Sequence, residues 1–257
     1  MRVAAPGFAG GDRTSLDLPA PQQKLIERLH ALGKPVVLVL MNGSAMSVNW
    51  ADANLPTIVE AWYPGGEGGT AVASLIAGAF SPAGRLPLTF YRSADDLPPF
   101  KDYAMKGRTY RYFGGEALYP FGHGLSYTRF GYATPDHEAK VKAGEALDIF
   151  VDVTNTGDRE GDEVVQAYVT RKVDGAPIRS LAGFLRVSLK PGETRMVRLW
   201  LDPMAFSVVD AKGVRRVDPG RAEVWVGGGQ PVSRAGLARP AGVATSVQVQ
   251  GRAVLEN

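Results

Sequence analysis

Tyr110–Tyr132 reads YRYFGGEALYPFGHGLSYTRFGY, a run in which aromatic rings alternate with glycines. Rings of this size bury large apolar areas, and glycine lets backbones approach closely or take a positive φ without a Cβ clash. The run therefore predicts a packed seam between two units rather than a loose linker. Helix and strand periods lie before it and only strand periods after it. The boundary is set there, with an α/β unit over residues 1–130 and an all-β unit over 131–257.

Upstream of the seam, Leu25, Ile26, Leu29 and Leu32 fall on one helical face within Pro21–Leu32, and Gly33 supplies a stop. The run PVVLVLM that follows, ending at Asn42-Gly43, is apolar and β-branched, as a strand buried on both faces of a parallel sheet would be. A second strand is predicted over Thr57–Tyr63. Pro64 and a cluster of glycines then lead into a small-residue helix, TAVASLIAGAF. This succession is the grammar of an α/β layer.

Downstream of the seam the period is two. Leu147, Ile149, Val151 and Val153 alternate with Asp148, Phe150, Asp152 and Thr154, and Asn155-Thr156-Gly157-Asp158 marks a turn. Val165, Ala167 and Val169, then Val197, Leu199 and Leu201, then Ala222, Val224 and Val226 form further inward sets, with Pro191-Gly192 and Pro219-Gly220 turns between them. Short strands without intervening helices predict a β-sandwich. Trp200 and Trp225 lie in these strands, and alternation leaves open whether each is packed or presented.

Composition narrows the function classes. The 257 residues are 45% hydrophobic and 21% charged, and the longest plain apolar run, Val36–Met41, falls far short of the ~20 residues that span a bilayer. No transmembrane helix or membrane partner is expected. The net charge is +3 with basic residues scattered, so no nucleic-acid footprint is present. Without cysteine there are no disulfides, thiolate nucleophiles or thiolate metal sites. His30, His123 and His137 lie far apart, so neither a metal nor a cofactor is expected. No apolar export-signal core is legible in MRVAAPGFAGGDR.

Candidate chemistry is sparse. Gly66-Glu67-Gly68-Gly69-Thr70-Ala71 matches G-x-G-x-x-A between a strand and a helix, but Glu67 would set a negative charge beside a pyrophosphate. A structural turn is the better reading. No G-x-S-x-G elbow occurs, and Ser44 and Ser74 are read as packing residues. Asn42-Gly43-Ser44 is formally a glycosylation acceptor, yet Asn42 is read as a turn or strand-end residue. The adjacent acids Asp95-Asp96 and Asp162-Glu163 are expected to point apart and be solvated. Asp12 and Arg13 follow Gly10-Gly11, where both charges could face a polyhydroxyl ligand; a local ion pair is the favoured alternative.

Taken together, GGDRTSLDLPAPQQKLI, PVVLVLMNGSAMSVNWA, TIVEAWYPGGEGGTAVASLIAGAFSPAGRLPLTF, YRYFGGEALYPFGHGLSYT and LAGFLRVSLKPGE resemble, in this order, the C-terminal half of glycoside hydrolase family 3. The resemblance implies an N-terminally truncated α/β sandwich domain followed by a fibronectin type III-like β-sandwich domain. Full-length members are β-glucosidases, β-xylosidases or related enzymes, with an N-terminal barrel that carries the nucleophilic Asp. Their general acid/base is often a Glu on a loop shortly before the segment that here reads PGFAGGDRTSLDLP. No glutamate precedes Gly10, so the resemblance implies that both catalytic carboxylates lie outside this sequence and that Glu67 does not replace either.

The expected role is therefore that of a supporting portion of an O-glycosyl hydrolase, inactive alone. No catalytic residue is assigned, and Asp12 and Arg13 are the substrate-binding candidates. Partners implied are the missing barrel and, with it, β-linked glucosides or xylosides. An uncovered apolar face would favour self-association. The resemblance points to a periplasmic or secreted full-length form, although the residues name no compartment. The alternatives are a free-standing carbohydrate-binding or interaction module and, on the glycine turn alone, a nucleotide-dependent enzyme.

Overall fold

The computed structural model describes residues 15–256. Helix α1 (Ala20–His30) opens with Pro21 in its first turn and is followed by Gly33 at φ +67°. Strands β1 (Val37–Leu40) and β2 (Thr57–Glu60) pair in parallel, with Leu38 opposite Ile58, and α2 (Asn49–Asn54) crosses between them. Helix α3 (Gly68–Ile76) comes next. Leu38, Leu40 and Ile58 pack with Ile26, Ala51, Leu55, Phe90 and Leu118 into a first core.

The structure leaves one apolar pattern largely bare and corrects one expectation. Of the apolar stripe on α1 only Ile26 is buried, at 7% exposure, while Leu25, Leu29 and Leu32 stand 56%, 41% and 69% exposed. Strand β1 is not buried on both faces, since only Leu40 is buried and Val37 is 39% exposed. A two-stranded parallel sheet among the described residues covers one layer only, so side chains patterned for burial have no facing partner.

The short helix α4 (Thr109–Tyr112) leads into the aromatic seam, and β3 (Phe130–Tyr132) begins the β-sandwich. The remaining strands are β4 (Lys140–Lys142), β5 (Leu147–Asn155), β6 (Gly161–Arg171), β7 (Ser180–Leu189), β8 (Thr194–Leu201), β9 (Val208–Val209), β10 (Arg215–Val217), β11 (Gly220–Gly227), β12 (Gly242–Gln250) and β13 (Ala253–Leu255). One sheet has the order β4-β12-β11-β6-β7, and the facing sheet the order β3-β5-β8. A small sheet, β13-β10-β9, closes one end.

Every inward set expected from the period-two pattern is buried: Leu147 to Val153 on β5, Val165 to Val169 on β6, Val197 to Leu201 on β8 and Ala222 to Val226 on β11. The two sheets meet on these side chains to form a second core. Trp225 is buried, whereas Trp200 is 54% exposed on the outer face of β8. Among the described residues no helix is long and apolar enough to cross a membrane.

Candidate functional site at the domain seam

The seam is built around Arg85. Its stretch of chain is held against the aromatic run by reciprocal backbone bonds: Leu86 N–H donates to His123 O (2.8 Å) and Gly122 N–H donates to Leu86 O (2.7 Å). This aims the Arg85 guanidinium into the sandwich, where Nη2 donates to Glu163 Oε1 at 2.6 Å and Nε donates to Gly228 O at 3.1 Å. Both side chains are buried, at 9% and 5% exposure. Burial pushes the Glu163 carboxyl pKa up, and Arg85 and the Val164 N–H oppose that rise. Beside them, Tyr168 Oη donates to Gln166 Oε1, and Gln166 Nε2 donates to the carbonyls of Gly122 and Gly228. The Tyr132 hydroxyl is buried near Glu163 but makes no regularly directed hydrogen bond.

A second clamp joins α2 to the loop after β11. Asp52 Oδ1 accepts from Tyr119 Oη (2.6 Å) and from Arg234 Nη2 (2.8 Å), while Arg234 Nε donates to Leu118 O. The Arg234 guanidinium also lies 5.4 Å from the Tyr119 ring centroid, a cation–π placement. Tyr119 stacks on His123 with rings 7° from parallel and 5.5 Å apart.

Burial, reinforced by Arg85 and Arg234, holds His123 down to a pKa of about 4. The unfolded imidazole, near 6.5, binds protons more readily than the folded one, so stability is full above about pH 6.5 and falls as pH drops toward 4. At pH 4.5 the loss from this residue is expected to be about 2–3 kcal/mol. Glu163 acts in the opposite sense, because its raised pKa relaxes the burial penalty on acidification. His123→Phe keeps the stacked ring and removes the titration. Urea midpoints of the native protein and this variant, measured at pH 7.5 and 4.5, isolate the imidazole; equal acid losses in both would refute the assignment.

Between the two units lies a cleft of about 440 Å³, lined by Thr89, Phe113, Glu116, Arg179 and Gln230 among others. Tyr110 forms part of its wall, stacked on Phe121 at 4.3 Å, with Leu181 N–H donating to its hydroxyl. Among the described residues that line it, Glu116 is the one carboxylate, and it is engaged by Arg92 at 2.8 Å. The cleft can hold a polar guest, but its described residues do not supply the two facing carboxyls, about 5 Å apart, of a retaining glycosidase.

The C-terminal ends of β1 and β2 form a further polar cluster, at the edge where α/β layers present ligands. Half-buried Glu60 accepts from Trp62 N–H (3.1 Å) and Asn42 Nδ2 (3.4 Å), and burial pushes its pKa up. Trp62 sits at φ +52°, a conformation non-glycine residues rarely take, and Tyr63 beside it is 79% exposed. One carboxylate beside an exposed ring can bind hydroxyls, but it cannot perform a double displacement alone.

Asp12 and Arg13 lie outside the described residues. Asn42 lies in the loop just past the end of β1, and Glu67 is the exposed residue preceding α3. Ser44 is exposed rather than packed, and Ser74 is half-buried. Asp96 joins Ser93 in a capping box, while Asp95 N–H donates to Ser93 Oγ. Asp162 and Glu163 do point apart, but only Asp162 is on the outside, paired with Arg186. Glu163 is buried, which corrects the solvated expectation, and the inward set Val165, Ala167, Val169 extends to it by the same period of two. Arg85, Asp52 and Arg234 carry no local signal, because their partners are distant in sequence. Among the described residues no group of three or more His, Asp or Glu side chains converges on a metal position.

These two units define the class: an α/β layer clamped through buried ion pairs to a fibronectin type III-like sandwich. Residues 4–127 match the glycosyl hydrolase family 3 C-terminal domain, and residues 163–230 match the fibronectin type III-like domain. The chain belongs to glycoside hydrolase family 3, as its C-terminal region. It is 44% identical over 232 residues to a xylan 1,4-β-xylosidase of Xylanibacter ruminicola, covering 88% of this chain and 26% of that protein. It is 37% identical to the periplasmic β-glucosidase of Salmonella typhimurium, covering 84% of this chain and 30% of that one. A solved β-glucosidase from Erythrobacter marinus superposes with TM-score 0.80 at 38% identity, over 95% of this chain and 32% of that one. The chain thus spans about a quarter to a third of the length of the relatives it matches.

Proposed function

We propose that this chain serves as the C-terminal portion of a glycosidase hydrolysing the O-glycosyl bonds of β-xylosides or β-glucosides, and that it is catalytically silent alone. The observation that carries this reading is the match to β-xylosidases and β-glucosidases over most of the chain but only a minor share of theirs. The single carboxylate in each described polar site supports the same view, since double displacement needs a nucleophile and a proton donor together. In this reading the nucleophile and acid/base come from the larger remainder of the enzyme, a barrel included. The α/β unit, residues 1–130, walls the sugar pocket with Asp12 and Arg13 toward the hydroxyls. The sandwich, residues 131–257, braces it through Arg85 and Arg234.

Purified chain incubated with p-nitrophenyl β-xyloside and β-glucoside is expected to release no nitrophenol above a mock preparation. Turnover that co-purifies with the chain through successive columns would overturn the proposal. A second reading, a carbohydrate-binding or interaction module, draws on exposed Trp200, whose ring could stack on a sugar face. It requires retardation of the chain in xylan-containing native gels, lost in Trp200→Ala.

A further inference from the structure

The cleft at the seam carries one positive charge that no acid around it neutralises. Of the charged side chains in its lining, Glu116 is paired with Arg92 at 2.8 Å and Arg234 with Asp52 at 2.8 Å. Arg179 is left, and among the described residues it has no carboxylate partner. Its hydrogen bond runs from Nη1 to the neutral amide oxygen of Gln230, at 2.9 Å. Burial pushes its pKa down, and the group that opposes this is the Tyr168 phenol rather than an acid. A half-buried cation without a counter-charge is unfavourable, and in a cleft it marks a place for an anionic guest.

The guanidinium is also held in position. Ile178 N–H donates to Arg111 O at 2.7 Å and Leu181 N–H donates to the Tyr110 hydroxyl at 3.0 Å, so the backbone on both sides of Arg179 is tied to α4. Gln230 is 3% exposed and donates through Nε2 to Phe121 O at 2.7 Å, which fixes the partner as well. One donor of the guanidinium is thereby engaged, and the others have no acceptor among the described residues. The same lining holds a second unmatched group: Thr89 is 6% exposed, and its hydroxyl makes no hydrogen bond. The volume of about 440 Å³ falls within the ~300–1,000 Å³ of small-molecule sites.

We propose that this cleft binds a small monocarboxylate, with Arg179 as its anchoring cation. A single unpaired charge matches a monoanion rather than a phosphate dianion, and the planar fork of an arginine fits the two oxygens of a carboxylate. The apolar lining comes from both units, Phe113 and Pro120 from the seam and Ile178, Val232 and Leu237 from the sandwich, and it receives the body of the guest. A sugar acid and an apolar acid share this charged head; a hydroxyl-bearing body would in addition give Thr89 a partner. The inference stands apart from the catalytic reading, since it concerns binding by this chain without turnover.

The test titrates the purified chain with glucuronate, benzoate, glucose and phosphate by calorimetry, with the arginine Nε–H signals followed by nuclear magnetic resonance. At least one of the two carboxylates is expected to bind with one-to-one stoichiometry, to weaken as salt is raised and to shift the Arg179 signal. Arg179→Gln should lower that affinity about tenfold or more, and Arg179→Lys, which keeps the charge but loses the fork, should fall between it and the native protein. Urea midpoints of both variants are measured alongside, and the salt dependence and the Arg179 shift are read on the native protein, where folding of a variant plays no part. Binding of glucuronate alone, weakened by Thr89→Val, upholds the site and identifies a sugar acid; binding of benzoate alone upholds it for an apolar acid. No carboxylate binding, glucose binding as tightly as glucuronate, phosphate binding more tightly than either acid, or an affinity unchanged in a folded Arg179→Gln would each overturn the proposal.

Discussion

Arg85→Ala is expected to destabilise the protein by about 3–5 kcal/mol, the largest effect of any single charge removal at the seam. The alanine leaves the Glu163 carboxylate, 5% exposed, with the Val164 N–H as its remaining hydrogen-bond donor. It also withdraws the donor from Gly228 O, which then depends on Gln166. Domains of this kind are stable by only about 5–15 kcal/mol, so the loss should be visible as a large shift in urea midpoint. The cost comes from a stranded charge rather than from the attraction itself. Replacing both partners, as in Arg85→Met with Glu163→Leu, should therefore restore most of it. A single-variant loss below about 1 kcal/mol would mean that water reaches Glu163 and that the clamp is not dry.

Gly122→Ala should cost a comparable amount through geometry alone. Gly122 has φ +78°, and a Cβ there would press on the Gln166 carboxamide oxygen and lie 2.5 Å from the Tyr168 hydroxyl. The left-handed backbone costs an alanine about 1–2 kcal/mol. Forcing apart Gln166 and Tyr168, 3% and 1% exposed, adds about 1–3 kcal/mol of overpacking and weakens a buried hydrogen-bond chain. Gly114→Ala is the control, because it lies in the same aromatic run with open space around its Cβ position and no positive φ. Its change should stay within about 0.5 kcal/mol. Equal urea midpoints for the two variants would show that the seam yields and is not close-packed.

Much of the architecture was legible along the chain. The inward sets of β5, β6, β8 and β11 could be read because a strand's alternation is set by neighbouring residues. The aromatic run Tyr110–Tyr132 signalled a packed seam, and Tyr110 against Phe121 and Tyr168 supplies that packing. Glu163 was within reach as the polar member of an inward set, but a carboxylate in a strand is more often solvated, and Arg85 lies 78 residues away. The α1 stripe was read as one apolar helical face, and in the structure that face is largely bare. Periodicity reports which face wants cover, while cover itself belongs to another layer. Trp200 and Trp225 occupy similar strands, and only the loop around Gly229 and Arg239, which packs on Trp225, separates them.

Local order in the residues thus established an α/β layer, an aromatic junction and a β-sandwich, because helix and strand periods depend on neighbours a few positions apart. Which charges are buried, where the clefts open and which apolar face stays bare came from folding alone. Those properties belong to pairs such as Arg85 with Glu163 and Asp52 with Arg234, joined across 78 and 182 residues of chain, and no short window contains both partners.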